Sequence, residues 1–581
     1  MKSLIFDIET DGITDVSVIW CISAVDLDSN TVYEFGPSQI DEGVKLLQQA
    51  DKLIGHNIIN YDIPWIDRMC GVDLSDKKLV DTLIISRLFN PVREGGHSLK
   101  QWGESVGFSK SGYDDFTAYS PEMMARCTSD VILNKKVYFE LRKEAAGFSK
   151  QSIDIENKVA HILKEQEEHG FLFDQKTASI LLAELNEEVE IVTAEVKKRF
   201  KPKVERIEIF KRLTKSGKVS KMGETLQGKG LRLTEDDHKE IASKGSIIRE
   251  KRIEFNLGSR KQIGEYLKEF GWKPKKFTPT GQPMVDEKIL SNVKGIPEAA
   301  LIGNYLMLQK RISQINAWFK ELEKDGRVHG FVNHNGTVTG RMTHRNPNMA
   351  QVPSCSAPYG KECRACWVVP SKHKLVGIDA SGLELRILAH YMNDEGFIDE
   401  ILNGDIHTAN QRLAGLESRN QAKTFIYALI YGAGDEKIGT VVGGSKKDGK
   451  RLRDTFLNNL PSFRTLIAKV SRAATRGFLK GIDGRKIKVR SQHSALNALL
   501  QGGGAIAMKQ GLILFHEKIQ KYNAVVVGNV HDEWQVEVPA QYAEEVGRVG
   551  VECIIQAGKD LELNCPLDGE YKIGDNWSET H

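Results

Sequence analysis

The chain has 581 residues, 40% of them hydrophobic and 27% charged, and a formal net charge of +3. That length exceeds one ordinary hydrophobic core and predicts three or four domains, while the apolar fraction excludes a disordered chain. The near-neutral balance excludes neither nucleic acid nor small substrates, because a basic groove can be offset by acidic patches elsewhere; local clusters have to decide.

At the N-terminal end, "MKSLIFDIETDG" reaches Asp7 and Glu9 before a signal-peptide core can form, and no apolar run approaches the roughly 18 residues of a membrane span, so a cytosolic protein is expected. Eight cysteines are sparse, and the one close pair, Cys363 and Cys366, has no second pair at zinc-finger spacing, so reduced thiols are expected. Residues 1–140 alternate β-like runs ("SLIFDIE", "VSVIWCISAVDL", "TVYEFG", "KLIGHN") with helical ones, the pattern of an α/β domain. Asp7 and Glu9 stand two apart at the end of the first strand, so both carboxylates project from one face and repel each other unless a cation neutralises them. "GHNIINYDIPWI" adds Asp62 beside His56 and Asn57, and "RCTSDVILNKKVY" adds Asp130 at a helix start.

From "DIENKVAHILKEQEEHG" the texture turns helical. "ASILLAELNEEVEIVTAEVKKRF" carries Leu181, Leu185, Val189, Val192 and Val196 at helical spacing on a long charged helix. Next, Lys201, Lys203, Arg206, Lys211, Arg212, Lys215, Lys218 and Lys221 fall in a glycine-broken stretch with little hydrophobic period, which predicts a basic, mobile insertion. Helical texture returns at "SRKQIGEYLKEFGW" and runs through "ALIGNYLMLQKRISQINAWFKELEKDG".

Chemistry concentrates in the second half. "VGIDASGLELR" ends an apolar strand at Asp379 and opens a helix near Glu384, and "VVVGNVHDEWQVEV" reads as a β-hairpin with Asp532 and Glu533 at its tip. Buried paired anions cost several kcal/mol unless something positive compensates, so two neighbouring acidic strand ends point to shared Mg²⁺ clamped by Asp379 and Asp532. Between them, Arg419, Lys423, Tyr427 and Tyr431 fall four apart on a predicted helix, so two cations and two rings share one broad face. Cations at one end suit a triphosphate, and flat rings at the other suit a sugar and bases.

The order of Asp7, Glu9, Asp62 and Asp130 resembles the DEDD 3′–5′ exonuclease domain of the polymerase I class, an RNase H-like fold, over residues 1–145. The resemblance implies phosphodiester hydrolysis with two divalent ions about 4 Å apart. It departs at one position: the family places a water-orienting tyrosine four residues before the last aspartate, and this chain has Arg126 there. Slower or retuned proofreading is expected.

The three motifs of the second half, with His407 in "DIH", resemble motifs A, B and C of family A DNA polymerases. "GIDASGLELR", "ILNGDIHT", "AKTFIYALIYGAGDEKIG" and "LNALLQGGGA" resemble more closely the replicative polymerases of short-tailed lytic phages of the autographivirus kind. The resemblance covers nearly the whole chain and is weakest over 200–258. It implies an α/β multidomain protein: an RNase H-like exonuclease domain (1–148), then a right hand with thumb (149–323, insertion at 200–258), palm (324–391), fingers (392–498) and the rest of the palm (499–581).

By the same likeness, Asp379, Asp532 and the Ala380 carbonyl hold two Mg²⁺ ions, and Glu533 stands just behind them. Two further ions sit among Asp7, Glu9, Asp62 and Asp130. His407, Arg419 and Lys423 grip the triphosphate, and Lys423 serves the leaving group. Tyr427 lies against the sugar, Glu384 forms the wall that a ribose 2′-hydroxyl strikes, and Tyr431 stacks near the templating base. "TGRMTHRNPNMAQVP" suggests Arg341 for minor-groove contact, joined by Asn497, Gln501 and His531, where contacts check pair geometry without reading sequence. The implied partners are primer-template DNA, deoxynucleoside triphosphates, host thioredoxin or another processivity factor at the insertion, and a phage helicase-primase, in the cytoplasm of an infected bacterium. No 5′-nuclease segment is expected before the exonuclease. A nuclease whose second half merely holds DNA, or a noncatalytic scaffold, leaves Asp379 and the cationic helix without purpose; a single-subunit RNA polymerase is opposed by Glu384.

Overall fold

The computed structural model describes residues 2–74, 76–108, 112–210, 234–244 and 246–581, so Lys211, Arg212, Lys215, Lys218 and Lys221 of the basic stretch lie outside the described residues. The chain divides into two compact units, Met1–Gln175 with Trp318–His581, and Lys176–Ala317.

The first unit contains a five-stranded sheet, β1 (Ser3–Thr10), β2 (Ile19–Asp26), β3 (Val32–Phe35), β4 (Lys52–Gly55) and β5 (Lys78–Asp81), in the order β3-β2-β1-β4-β5. β1, β2 and β3 run antiparallel, while β4 and β5 continue parallel to β1. β1 is central and apolar on both faces: Leu4, Phe6 and Ile8 pack with Leu47, Ile63 and Ile66, and Ile5 packs with Val131, Val137 and Leu141. The strand's period of two therefore turns Asp7 and Glu9 toward the side covered by helix Pro121–Glu144. That helix starts cleanly, with a proline in its first turn and the Ser120 hydroxyl accepting from Met123 N–H at 3.1 Å. β5, four residues long, is too short to show periodicity and was not among the expected strands.

A second, antiparallel sheet orders its strands Val525–Val530, Glu533–Pro539, His373–Ala380, Gly569–Gly574. Asp379 pairs in register with Glu533 on one side and Glu570 on the other. Helices Leu383–Met392 and Ala495–Ile519 share one core with this sheet. Their close approach depends on glycine: a Cβ on Gly503 would lie 2.6 Å from the Ile387 side chain. The segment 492–522 is long and apolar enough to span a membrane by length and composition, contrary to the expectation that no run approached this; 78% of its apolar window is buried, as in a core helix.

Helix Lys150–His169 belongs to both cores of the first unit, with Ala160 against the first sheet and Ile155, Val159, Ile162 and Leu163 against the second. Its Glu156, fully buried, accepts from Lys509 Nζ at 2.6 and 2.8 Å, from His334 Nδ1 at 2.5 Å, and from Arg485. Burial alone would raise this carboxyl, but Lys509, Arg485 and His334 outweigh it and hold it well below the ordinary range.

In the second unit, helix Gln175–Arg199 buries Leu181, Leu185, Val192 and Val196 of the predicted stripe, while Val189 is half-buried. The described part of the expected basic, mobile insertion contains regular structure. Lys203–Phe210 and Ser246–Ile253 form an antiparallel pair, and with helix Glu235–Lys244 they enclose Ile207, Ile209, Ile241 and Ile247. Alternation in "VERIEIF" carries that strand, and the charges around it mask the signal.

Candidate active sites

The end of β1 opens into a cavity of about 1080 Å³ whose wall includes Asp7, Glu9, Asp62, Asp130, Arg126 and Tyr61. All four sequence-predicted carboxylates therefore meet. Asp7, Glu9 and Asp130 each offer an oxygen, all within 4.8 Å of one another, a spacing that suits one divalent cation. Asp62 stands slightly apart: it opens helix Asp62–Cys70 and accepts from Ile8 N–H at 3.1 Å. Its burial, with Asp81 and Glu9 nearby, pushes its carboxyl up to about 8. Asp81, missed in the sequence, is fully buried and accepts from the N–H groups of Asn57, Ile59, Leu83 and Ile84, so it braces the loop before Asp62.

Arg126 fills the place of the expected tyrosine with opposite chemistry. Its Nε lies 3.0 Å from Glu9 Oε1, it donates to the Tyr113 carbonyl, and its guanidinium stands 4.9 Å over the Phe116 ring. A fixed cation thus offsets part of the carboxylate charge. A tyrosine hydroxyl is present by another route: Tyr61, also missed, donates to the Gly12 carbonyl at 2.6 Å on the same wall.

In the second sheet, the hairpin tip falls at His531 and Asp532. Ala380 N–H donates to the Asp532 carbonyl at 3.1 Å, which joins the two acidic strand ends named from the sequence. Asp379 is pushed up to about 7 by burial and by the carboxylates of Glu533, Asp532 and Glu570, partly relieved by His581. Burial and Glu384 also raise Asp532, against the pull of Arg341. Burial raises both acids, and neighbouring carboxylates raise each of them further, so a cation held between them would relieve both. Glu533 is differently placed: it begins the strand, and its carboxylate accepts from Trp577 Nε1 at 2.8 Å and contacts His581 Nδ1 at 2.6 Å. Those two residues were missed because nothing local in "DNWSETH" marks them.

Helix Arg419–Ile430 begins with a capping box between Ser418 and Gln421, and Tyr431 caps its C-terminus. Tyr427 and Tyr431 stack at 6.2 Å between ring centroids, and the His407 ring lies 6.3 Å from Tyr427. Glu384, 7% exposed, accepts from the Tyr431 hydroxyl at 2.6 Å and from Arg341 Nη2 at 3.0 Å. Burial and Glu384 raise the Tyr431 phenol, which stays a donor. Arg419 is paired with Asp405 at 2.7 Å, and Lys423 is exposed. Asp405 also caps helix Ile406–Ala414 by accepting from His407 N–H at 3.1 Å, a role not foreseen for it.

Of the four residues expected on DNA, Arg341 and His531 share a pocket of about 170 Å³ with Asp532; Asp379, Asn497 and Gln501 do not line it. Asn497 and Gln501 stand one turn apart near the start of helix Ala495–Ile519.

A family model described as DNA polymerase family A matches residues 229–579. The chain is 33% identical to the DNA-directed DNA polymerase of Enterobacteria phage T3 and 32% identical to that of Escherichia phage T7, covering 100% of each in both comparisons. In fold it is similar to the POL domain of Pol1 from M. smegmatis in complex with DNA primer-template and dNTP, with a TM-score of 0.77, 18% identity, and coverage of 100% of this chain and 96% of that one. The chain belongs to DNA polymerase family A.

Proposed function

We propose that this protein carries out template-directed DNA synthesis from deoxynucleoside triphosphates in phage genome replication, with an attached 3′–5′ exonuclease. The single observation that carries the synthetic half is the junction of Asp379 and Asp532 at adjoining strand ends, both raised by burial and neighbouring carboxylates, beside the helix that bears Arg419, Lys423 and Tyr427. The proposed domains are exonuclease 1–148, thumb 149–323, palm 324–391 and 499–581, and fingers 392–498.

Asp379, Asp532 and the Ala380 carbonyl would hold two Mg²⁺ ions, and Asp7, Glu9, Asp62 and Asp130 two more. Bound there, such ions supply charge neutralisation, an activated oxygen nucleophile and stabilisation of the leaving oxygen. Lys423, exposed and without an ion pair among the described residues, would meet the triphosphate, and Arg419 would exchange Asp405 for phosphate oxygens. His407 supports the same grip. Glu533 anchors the strand rather than meeting substrate, through Trp577 and His581. Glu384, tied to both Tyr431 and Arg341, is held rigid and therefore suits a wall against a 2′-hydroxyl. Tyr427 would lie on the sugar, Tyr431 near the templating base, and Arg341, Asn497, Gln501 and His531 along the minor groove.

In the exonuclease, Arg126 would hold Glu9 and stabilise the phosphodiester's charge while leaving water orientation to another group. Primer-template DNA and deoxynucleoside triphosphates are the substrates. Host thioredoxin or another processivity factor at residues 200–258, a phage helicase-primase, and a site of action in the infected host's cytoplasm complete the proposal.

Primer extension with and without Mg²⁺, using wild type and Asp379→Ala, tests it. Metal-dependent extension lost in the variant is expected, and extension that survives Asp379→Ala would refute the assignment. A thioredoxin pull-down, with product lengths compared in its presence and absence, tests that partner.

A further inference from the structure

Two cavities lie away from both carboxylate sites, where β5 meets helices Lys150–His169 and Ala495–Ile519. The larger, about 680 Å³, is bounded in part by Lys77, Lys158, His161, Ile513 and Leu514. The smaller, about 330 Å³, is bounded in part by Lys52, Val80, Ile85, Phe89 and Arg142. Both are lined by Lys78, Leu79, Lys150, Asp154 and Asn157, so they are neighbouring compartments of one site.

Three kinds of surface meet there. Lys52, Lys77, Lys78, Lys150, Lys158 and Arg142 face two acids, Asp154 and Glu517, and the balance is cationic. Lys158 spends its charge on Glu517 at 3.3 Å and Lys77 stands 3.6 Å from Asp76, whereas Lys78 and Lys150 are exposed and have no ion pair among the described residues. The apolar walls are Leu79, Val80, Ile85, Phe89, Ile513 and Leu514. Between them stands Asn157, only 9% exposed. Its Nδ2 donates to the Ile153 carbonyl at 3.0 Å, but its Oδ1 has no hydrogen-bond partner among the described residues, nor has His161 Nε2. A buried acceptor left unmade costs ~1–3 kcal/mol, so its position on a cavity wall calls for a donor on a ligand.

An anion for Lys78 and Lys150, a flat apolar body for the walls and an N–H for Asn157 are together the chemistry of a nucleotide, since every base carries a donor on its pairing edge. We propose that this junction binds a nucleoside monophosphate: phosphate on Lys78 and Lys150, base edge on Asn157 Oδ1, base face on the apolar wall. Cavities of this size fit such a ligand. The site does not depend on the reactions proposed above, although the exonuclease would release compounds of this class.

Calorimetric titration of the full chain without divalent cation tests it, with dAMP, deoxyadenosine and inorganic phosphate in separate arms. Saturable dAMP binding at least tenfold tighter than either fragment is expected. The Lys78→Glu/Lys150→Glu pair and Asn157→Leu should each weaken it tenfold or more, while Asp7→Ala in the exonuclease cavity leaves it unchanged. Thermal melts and primer extension report whether each variant folds; the lysine pair is on the surface and keeps the test open if Asn157→Leu does not fold. No saturable binding, equal binding of phosphate alone, or binding lost in Asp7→Ala and kept in the lysine pair would overturn the proposal.

Discussion

At Arg126 the exonuclease site holds a cation where the family it resembles has a tyrosine. An ion pair to Glu9 substitutes a fixed charge for part of what metal supplies and leaves no hydroxyl at that position. Arg126→Tyr is expected to speed single-strand degradation by about a hundredfold, the lower end of what one well-placed proton-handling group contributes, with primer extension unchanged; no gain on a labelled single strand would argue against this role. Tyr427 makes a comparable test at the other site. Its phenol is raised by burial, Glu384 and Asp532, so it remains a donor beside the proposed phosphate path. Tyr427→Phe is expected to increase discrimination against dideoxynucleotides by about two orders of magnitude, the worth of one hydrogen bond to a charged group, measured as the ratio of kcat/KM for the two substrates. Both residues stand in recognisable sequence frames, yet neither Arg126's partner nor Tyr427's electrostatic setting is written there, because each depends on a side chain over forty residues away.

At the scale of elements, the loop before helix Asp62–Cys70 and β1 are joined by a carboxylate that prefers its proton. Asp62 is raised to about 8 from 3.8 by burial. In the folded protein without divalent cation it stays protonated while the unfolded chain ionises, so stability falls as pH rises from about 4 toward 8. Asp62→Asn keeps the acceptor for Ile8 N–H and removes the titration. The variant is expected to melt higher than wild type at pH 8 in chelator, with the gap closing toward pH 4; a gap independent of pH would show that Asp62 is ionised in the fold. The elements themselves were largely legible: β1, the hairpin and helix Arg419–Ile430 all follow from their periods. β5 and the strand Lys203–Phe210 did not, one being too short and the other dressed in charge.

Across the whole molecule, the buried group of Glu156, Lys509, Arg485 and His334 ties the helix shared by both sheets to the second half of the chain. Removing one member leaves buried cations uncompensated. Glu156→Gln is expected to cost ~3–5 kcal/mol in chemical denaturation. Because this carboxyl is held below 4.5, its contribution is complete above that pH and is lost as pH falls through the lower folded value, so the variant should show a shallower acid branch than wild type. An unchanged midpoint would mean that the group contributes specificity without net stability. No feature of "DIENKVAHIL" predicted this cluster, since a glutamate on a helix is ordinarily solvated.

The sequence by itself determined the acids, cations and rings that can do chemistry and their order, because strand and helix periods are local and fix which side chains share a face. Tertiary structure alone decided which distant faces meet: Arg126 with Glu9, Glu384 with Tyr431 and Arg341, Glu533 with Trp577 and His581. Burial and the sum of neighbouring charges set how each carboxyl holds its proton, and both quantities come into being only when segments remote in the chain pack together.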